Sequence, residues 1–455
     1  MQKILNTLFL VLFTFITLLG QTGKAKYVFL FIGDGMGINQ VRLTEAVFPD
    51  SLNMRKMPNL GLMTTNAANR YITCSAAAGT AIACGQKTSI GTIGLDVNKQ
   101  QRLKSIAEKV KENGRKVGIV TTVSLDHATP AAFYAHRADR EMHDSIAIDL
   151  INSNFDYFGG GGFLKFELNE NNRTFIKNKG YNLIDSRLNF LLLDSLAGKT
   201  IVISPILDIE KAINFSIDQT NEEITLPQLT DKGIEVLNND SGFFMMIEGG
   251  KIDWACHSND AGSLIREVYS FDRAIGVAYQ FYKKHPNETL IIVLADHETG
   301  GLSLGVNSRK YDSDFSLLRK QKVSIVEFTK KMDSLKKTSN NAEQMYLEAM
   351  NMVKLNFGLG EIQIPLNKND KKNFQKAFQK SLLNKPIKAE YSEDNPVASL
   401  AVKILAEKAG VGWTTSHHTG TPVAVYSIGV GASQFSGFFD NTNVSTRILD
   451  IMGFR

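Results

Sequence analysis

The stretch Phe243-Phe-Met-Met-Ile-Glu-Gly-Gly-Lys-Ile-Asp-Trp-Ala-Cys-His257 decides the fold. It opens on a continuous apolar run without polar alternation, the pattern of a strand buried on both faces. Two glycines end the run. Asp253 and His257 then stand at i and i+4, a spacing that puts both on one helical face, where they can grip one ion. Further runs of the first kind are Tyr27–Ile32, Val117–Thr122, Ile201–Ser204, Leu290–Ala295 and Val423–Val430, bounded by Gly, Asp or Ser. Helical patterns lie between some of them. One has Leu103, Ile106, Ala107 and Val110 and ends near Gly114; another has Leu264, Val268, Phe271, Ile275, Ala278 and Tyr282 and ends before Pro286. Buried strands alternating with amphipathic helices predict an α/β fold, with a central, mostly parallel sheet sandwiched by helices.

Polar groups follow the runs. Asp34 comes after the first, Glu248 and Asp253 after Phe-Phe-Met-Met-Ile, and Asp296-His297 after Leu-Ile-Ile-Val-Leu-Ala. Ligands of open α/β sheets bind beyond the carboxyl ends of strands, so these residues are expected to converge on one rim. With His417-His418, they make an Asp/His set that suits divalent zinc. Paired metals are the usual apparatus for displacement at phosphorus.

Other segments add to this only in combination. Gly33-Asp34-Gly35-Met36-Gly37 permits a tight turn and close backbone approach to an ion or phosphate, though it also reads as an ordinary glycine turn. In Thr73-Cys74-Ser75-Ala76-Ala77-Ala78-Gly79, Ser75 can open a helix whose first amides face an anion; alone it reads as a buried alanine-rich helix. His127-Ala128-Thr129-Pro130 offers a hydroxyl for a magnesium-type site and a proline suited to a helix start. Arg137 and Arg140 present planar forks that match phosphate oxygens, or ordinary surface charge.

The 455 residues, 43% hydrophobic and 21% charged, allow a large core. A net charge of +5 from 51 basic and 46 acidic residues gives no argument for a nucleic-acid partner. Residues 1–23 read as a signal peptide: Lys3 precedes an apolar Ile4–Leu19 core, so the protein is expected to be exported, periplasmic or secreted. Residues 24–455 follow as one catalytic domain, with a mostly helical insertion at about 307–410 rich in Lys and Asn. Its lysine-rich stretches read as solvated helix faces. Cys74, Cys84 and Cys256 are an odd count for an exported chain, and buried thiols without a disulfide framework are expected.

Taken in order, Ile-Gly-Asp-Gly-Met-Gly (32–37), the Ser75 segment, His-Ala-Thr-Pro-Ala-Ala (127–132), Glu248-Gly-Gly-Lys-Ile-Asp253 with His257, Ala295-Asp-His-Glu-Thr-Gly-Gly301 and His417-His-Thr-Gly420 resemble the alkaline phosphatases. The motifs cover about Lys26–Phe163, Phe243–Leu302 and Gly412–Val430, and not the insertion. The resemblance implies hydrolysis of small phosphate monoesters through a phosphoserine at Ser75, with phosphate bound by Arg140. It implies two Zn2+, one held by Asp253, His257 and His418 and the other by Asp34, Asp296 and His297. One Mg2+ would be held by Asp34, Thr129 and Glu248. His127 and Trp254 would support the third site or the substrate, His417 would not ligate, and a homodimer is expected.

The sequence departs from its relatives at Cys74, where some carry an Asp that helps hold the arginine. His127 and Trp254 stand where one bacterial branch has Asp and Lys and the animal enzymes have histidines. Rival readings are weaker. A sulfatase would carry Cys-x-Pro-x-Arg, but Ala76 and Ala78 follow Cys74. A diesterase activity is expected only as a side reaction, and a non-catalytic binding protein is expected to have lost ligands that this chain keeps.

Overall fold

Strand β1 (Tyr27–Ile32) is buried along its whole length, as its unbroken run of apolar side chains requires. The computed structural model describes residues 23–48, 52–338 and 341–454; the expected signal segment, but for Gly23, lies outside them. β1 is central in a ten-stranded sheet. The other strands are β2 (Asn59–Thr64), β3 (Lys116–Thr121), β4 (Tyr157–Gly160), β5 (Asn182–Ile184), β6 (Thr200–Ile203), β7 (Phe243–Glu248), β8 (Thr289–Leu294), β9 (Val423–Gly429) and β10 (Gly437–Asp440). Their order across the sheet is β10-β2-β9-β8-β1-β7-β3-β4-β6-β5.

All neighbouring pairs are parallel except those made by β9, which runs against both β8 and β2. The expected mostly parallel α/β sheet is therefore the architecture observed. Each side chain of β1, β7 and β8 is buried, and burial of one large apolar side chain is worth about 1.5–3 kcal/mol. The sheet centre is thus its most strongly fixed part. The strands that sequence pattern does not single out are β2, β4, β5 and β10. β2 and β10 lie at one edge with partly exposed faces, and β4 and β5 are four and three residues long.

The parallel register lines up the chemistry. Ile32 of β1 pairs with Glu248 of β7 and with Leu294 of β8, and Thr121 of β3 pairs with Glu248. The residues just past these pairs, Asp34, Asp253, Asp296 and His297, therefore leave the sheet at one rim. Short connections suffice: helix α1 (Ile38–Val47) follows β1, helix α2 (Ser75–Cys84) follows β2, the single turn α3 (Ala128–Ala131) follows β3, and α4 (Lys251–His257) follows β7. α5 (Ala261–Lys284), the long helix before Pro286, packs its apolar side against β8.

The segment 307–410 is mostly helical, with α6 (Ile325–Thr338), α7 (Ala342–Phe357), α8 (Lys368–Leu382) and α9 (Pro396–Ala409). Phe328 and Phe357 meet edge to face at 4.8 Å inside it, and many of its lysines face solvent. Between α8 and α9 a small hairpin pairs Ile387–Lys388 with Glu393–Asp394. The cysteines are all free. Cys256 is buried as expected, but Cys74 and Cys84 are only half-buried: Cys74 Sγ accepts the Gly91 amide while Cys84 Sγ donates to the Leu103 carbonyl, so the two thiols face different neighbours.

Candidate active site

Ser75 is the first residue of α2 and is fully buried. The opening amides of a helix have no intrahelical acceptor and face outward with the positive end of the helix dipole, a ready site for an anion. Ser75 Oγ lies 3.3 Å from His297 Nε2. His297 Nε2 is in turn 3.2 Å from Asp296 and 3.4 Å from Asp34. The ligand atoms of Asp34, Asp296 and His297 lie within 4.8 Å of one another. A neighbouring cluster of the same size is Asp253, His297 and His418, with His257 Nε2 at 3.2 Å from both Asp253 and His418. Asp34, His127 and Glu248 form another, and Thr129 Oγ donates to Asp34 at 3.3 Å beside it.

Backbone and hydroxyl partners set the imidazoles. His257 Nδ1 is 2.6 Å from the Ser416 carbonyl and His418 Nδ1 is 2.9 Å from the Thr73 carbonyl. A carbonyl only accepts, so Nδ1 carries a proton in both rings and Nε2 is the nitrogen left facing the cluster. Thr299 Oγ gives its one proton to Asp253 at 2.5 Å and therefore accepts from His297 Nδ1 at 3.3 Å. All three Nε2 atoms thus face the carboxylates, the orientation that outer partners give metal-binding histidines. The loop geometry is fixed by a two-residue pairing of His418–Thr419 with Glu298–Thr299. Gly35 has φ +71°, and a Cβ there would come within 2.8 Å of Asp253 Oδ1 and Thr299 Oγ1, so only glycine fits this turn.

Charge in the cluster is unbalanced. Burial, then Asp296, Asp253 and Glu248, hold Asp34 well above the usual carboxylate range. Burial pushes Glu248 up to about 8, and burial with Asp253 pushes Asp296 up to about 7. Burial also works on Asp253, but His257 and His418 overcome it and hold that carboxylate below its usual range. His257 rises to about 9 because Asp253 outweighs its own burial, whereas burial depresses His297, His418 and His127. Asp34 Oδ1, Glu248 Oε1, Asp253 Oδ2 and Asp296 Oδ2 are buried and accept no hydrogen bond among the described residues. Buried carboxylate oxygens left in this way call for cations. The oxygen and imidazole donors of the first two clusters fit zinc, and the oxygen-rich third cluster fits magnesium.

Arg140 lies at the rim: its Nη2 donates to His127 Nε2 at 3.2 Å and to the Tyr391 hydroxyl at 3.3 Å. Arg137 turns away and makes a two-pronged pair with Asp149 at 2.8 and 2.6 Å. Trp254 lies beside the site with its ring stacked on Tyr391. His417 is exposed, with a ring nitrogen within 4.8 Å of ligand atoms of His257 and exposed Glu390. Sequence pattern does not reveal three contributors. Thr299 sits inside the quoted Asp-His-Glu-Thr motif but looks like a turn residue. Thr121, which donates to Glu248, looks like the end of a strand. Tyr391 comes from the helical segment, in a polar stretch with no motif of its own.

The alkaline phosphatase family profile matches residues 25–159 and 167–453, and so runs through the helical segment that the motifs do not reach. "Alkaline phosphatase 4" of Bacillus subtilis is 30% identical over 448 residues, covering 94% of this chain and 89% of that protein. The human tissue-nonspecific alkaline phosphatase is 28% identical over 61% of this chain and 64% of its own length. Among solved structures, the cold-active alkaline phosphatase of a Shewanella species superposes with a TM-score of 0.79 at 28% identity, over 94% of this chain and 99% of that one. A mutant of the TAB5 alkaline phosphatase with a histidine changed to glutamate and Mg bound in its M3 site superposes at 0.68 with 27% identity, covering 95% and 99%. Sheet, rim and near full-length likeness agree: this chain belongs to the alkaline phosphatase family, enzymes that hydrolyse phosphate monoesters with the help of metals.

Proposed function

We propose that the chain is an exported alkaline phosphatase that hydrolyses small phosphate monoesters through a phosphoserine at Ser75. Asp253, His257 and His418 would hold one zinc ion, Asp34, Asp296 and His297 a second, and Asp34, Thr129 and Glu248 one magnesium ion. The observation that carries this reading is Ser75 Oγ, 3.3 Å from a His297 Nε2 whose Nδ1 is already committed to Thr299. Bound there, divalent cations supply Lewis-acid stabilisation to the attacking and leaving oxygens and make the serine alkoxide accessible near neutral pH.

The protein's own groups do the rest. Ser75 is held rigidly at the start of α2, so its oxygen is aimed and costs little ordering as it attacks phosphorus. The ester oxygen leaves, and water then attacks the phosphoserine to release phosphate and restore the hydroxyl. Arg140 and the first amides of α2 offer donors to the equatorial oxygens, where charge builds in the transition state. His127, kept neutral by burial and by Arg140, accepts an Arg140 N–H and steadies that guanidinium. A zinc ion held there would supply the acidity for activity at neutral to alkaline pH, with broad tolerance of the leaving group.

Export is part of the same proposal and rests on the apolar N-terminal segment; among the described residues no helix is long and apolar enough to cross a membrane. A homodimer is supported by an apolar sheet edge. Leu60 and Leu62 of β2 and Phe438 of β10, paired in register with Leu62, are 57%, 38% and 66% exposed. Trapping with radiolabelled phosphate tests the chemistry. Wild type should carry label at acidic quench and Ser75→Ala none; full labelling of Ser75→Ala would refute the nucleophile.

A further inference from the structure

Tyr391 is the one residue of the helical segment 307–410 that hydrogen-bonds Arg140 among the described residues. It projects from the link between the strands Ile387–Lys388 and Glu393–Asp394. Its hydroxyl accepts from Arg140 Nη2 at 3.3 Å. Its ring stacks on Trp254, with centroids 4.6 Å apart and planes 17° from parallel, and lies 5.6 Å from the rings of both His127 and His257. One side chain therefore bridges the arginine, His127 of one cluster and His257 beside another.

Arg140 has little else to fix it. Among the described residues its remaining side-chain partners are His127 and the exposed carboxylate of Glu141, 3.9 Å from Nε. Cys74 offers sulfur and no carboxylate, and that sulfur is already taken by the Gly91 amide. A long, flexible side chain loses much rotamer freedom when it grips phosphate, and a partner that restrains it beforehand makes the grip tighter. The hairpin can supply that restraint because it is tied down. Ala389 N donates to Ser392 O at 2.9 Å, and Ser392 Oγ and Ser258 Oγ donate to Asp394 at 2.9 and 3.2 Å. Ser258 follows directly on His257, so the hairpin is fastened to the end of α4.

We propose that Tyr391 is the positioning residue for Arg140, its hydroxyl fixing the guanidinium and its ring, seated on Trp254, holding the hydroxyl in place. The helical segment is then a working part of the phosphate site. This rests on the reading of Arg140 as the phosphate-binding arginine.

The test compares wild type, Tyr391→Phe, Arg140→Ala and the double variant, all metal-loaded. Inhibition by inorganic phosphate is measured against an aryl phosphate, with kcat, KM and zinc per chain recorded for each. Phenylalanine keeps the stack and removes only the hydroxyl. Tyr391→Phe should weaken phosphate inhibition about tenfold, the scale of one hydrogen bond to a charged group, with zinc unchanged. In the Arg140→Ala background the same change should cost less than about twofold, because the group it positions is gone. Phosphate inhibition of Tyr391→Phe within about twofold of wild type, or an equal loss in both backgrounds, would overturn the role of the tyrosine. Undiminished inhibition of Arg140→Ala would instead refute the arginine and the proposal with it.

Discussion

Ser75 Oγ and His297 Nε2 lie 3.3 Å apart although 222 residues separate them in the chain. The sheet brings them together. His297 sits just past β8, beside the central strand, while Ser75 opens the helix that follows β2, two strands away. Thr73, two residues before the serine, receives the Nδ1 proton of His418, so the serine segment and the last imidazole hold each other in register.

Thr299 links two of the Asp/His clusters through Asp253 and His297. Thr299→Val keeps the shape of the side chain and removes the hydroxyl. His297 then has no acceptor to fix its Nδ1 proton, and Asp253 loses a donor. Zinc affinity should fall about 10–100-fold, read by competition with a chelator. Unchanged affinity would mean that His297 is oriented by something other than this threonine.

His127 places a neutral imidazole beside Asp34 and Glu248, which are oxygen donors. Magnesium prefers oxygen, so His127→Asp should raise the magnesium bound per chain at limiting magnesium, measured by mass spectrometry. Magnesium content that stays flat would argue against a cation in that cluster.

Much of this was legible in the sequence, and for a physical reason. Strands buried on both faces need continuous apolar runs, so β1, β3, β6, β7, β8 and β9 show themselves within about a residue at each end. The ligands follow because the rim of a parallel sheet is where its strands end. The edge strands are harder to see. β2 alternates exposed and buried residues over a short length, and β10 keeps Phe438 in solvent, so neither has the central pattern. Tyr391 is harder still: it meets Arg140 across 251 residues of chain, and its role comes from tertiary packing with no local pattern. Arg137 and Arg140 look alike in local pattern; the spacing from His127 singles out Arg140, and in the fold Asp149 holds Arg137 away from the rim.

Glu267 gives a pH dependence that does not involve the metals' ligands. It is buried on α5 and accepts the Ser216 amide at 2.5 Å, and burial pushes its carboxyl up to about 7. A carboxyl raised in the fold favours the native state when protonated. Its contribution is full below the ordinary value of about 4.3 and is lost as pH rises from there through about 7, at most about 4 kcal/mol. Glu267→Gln keeps an acceptor for Ser216 and does not ionise. Denaturant unfolding should therefore show the variant gaining on wild type between pH 5 and pH 8, and a constant difference across that range would contradict the assignment.

The central claim is that two cations sit beside one serine hydroxyl. Diffraction data from crystals grown with zinc and phosphate, collected on both sides of the zinc absorption edge, test it most directly. The account predicts two anomalous peaks about 3.5–4 Å apart, one among Asp253, His257 and His418 and one among Asp34, Asp296 and His297, with phosphate between them and Ser75. An anomalous map with no peak in the second cluster, or with phosphate bound away from Ser75, would contradict it.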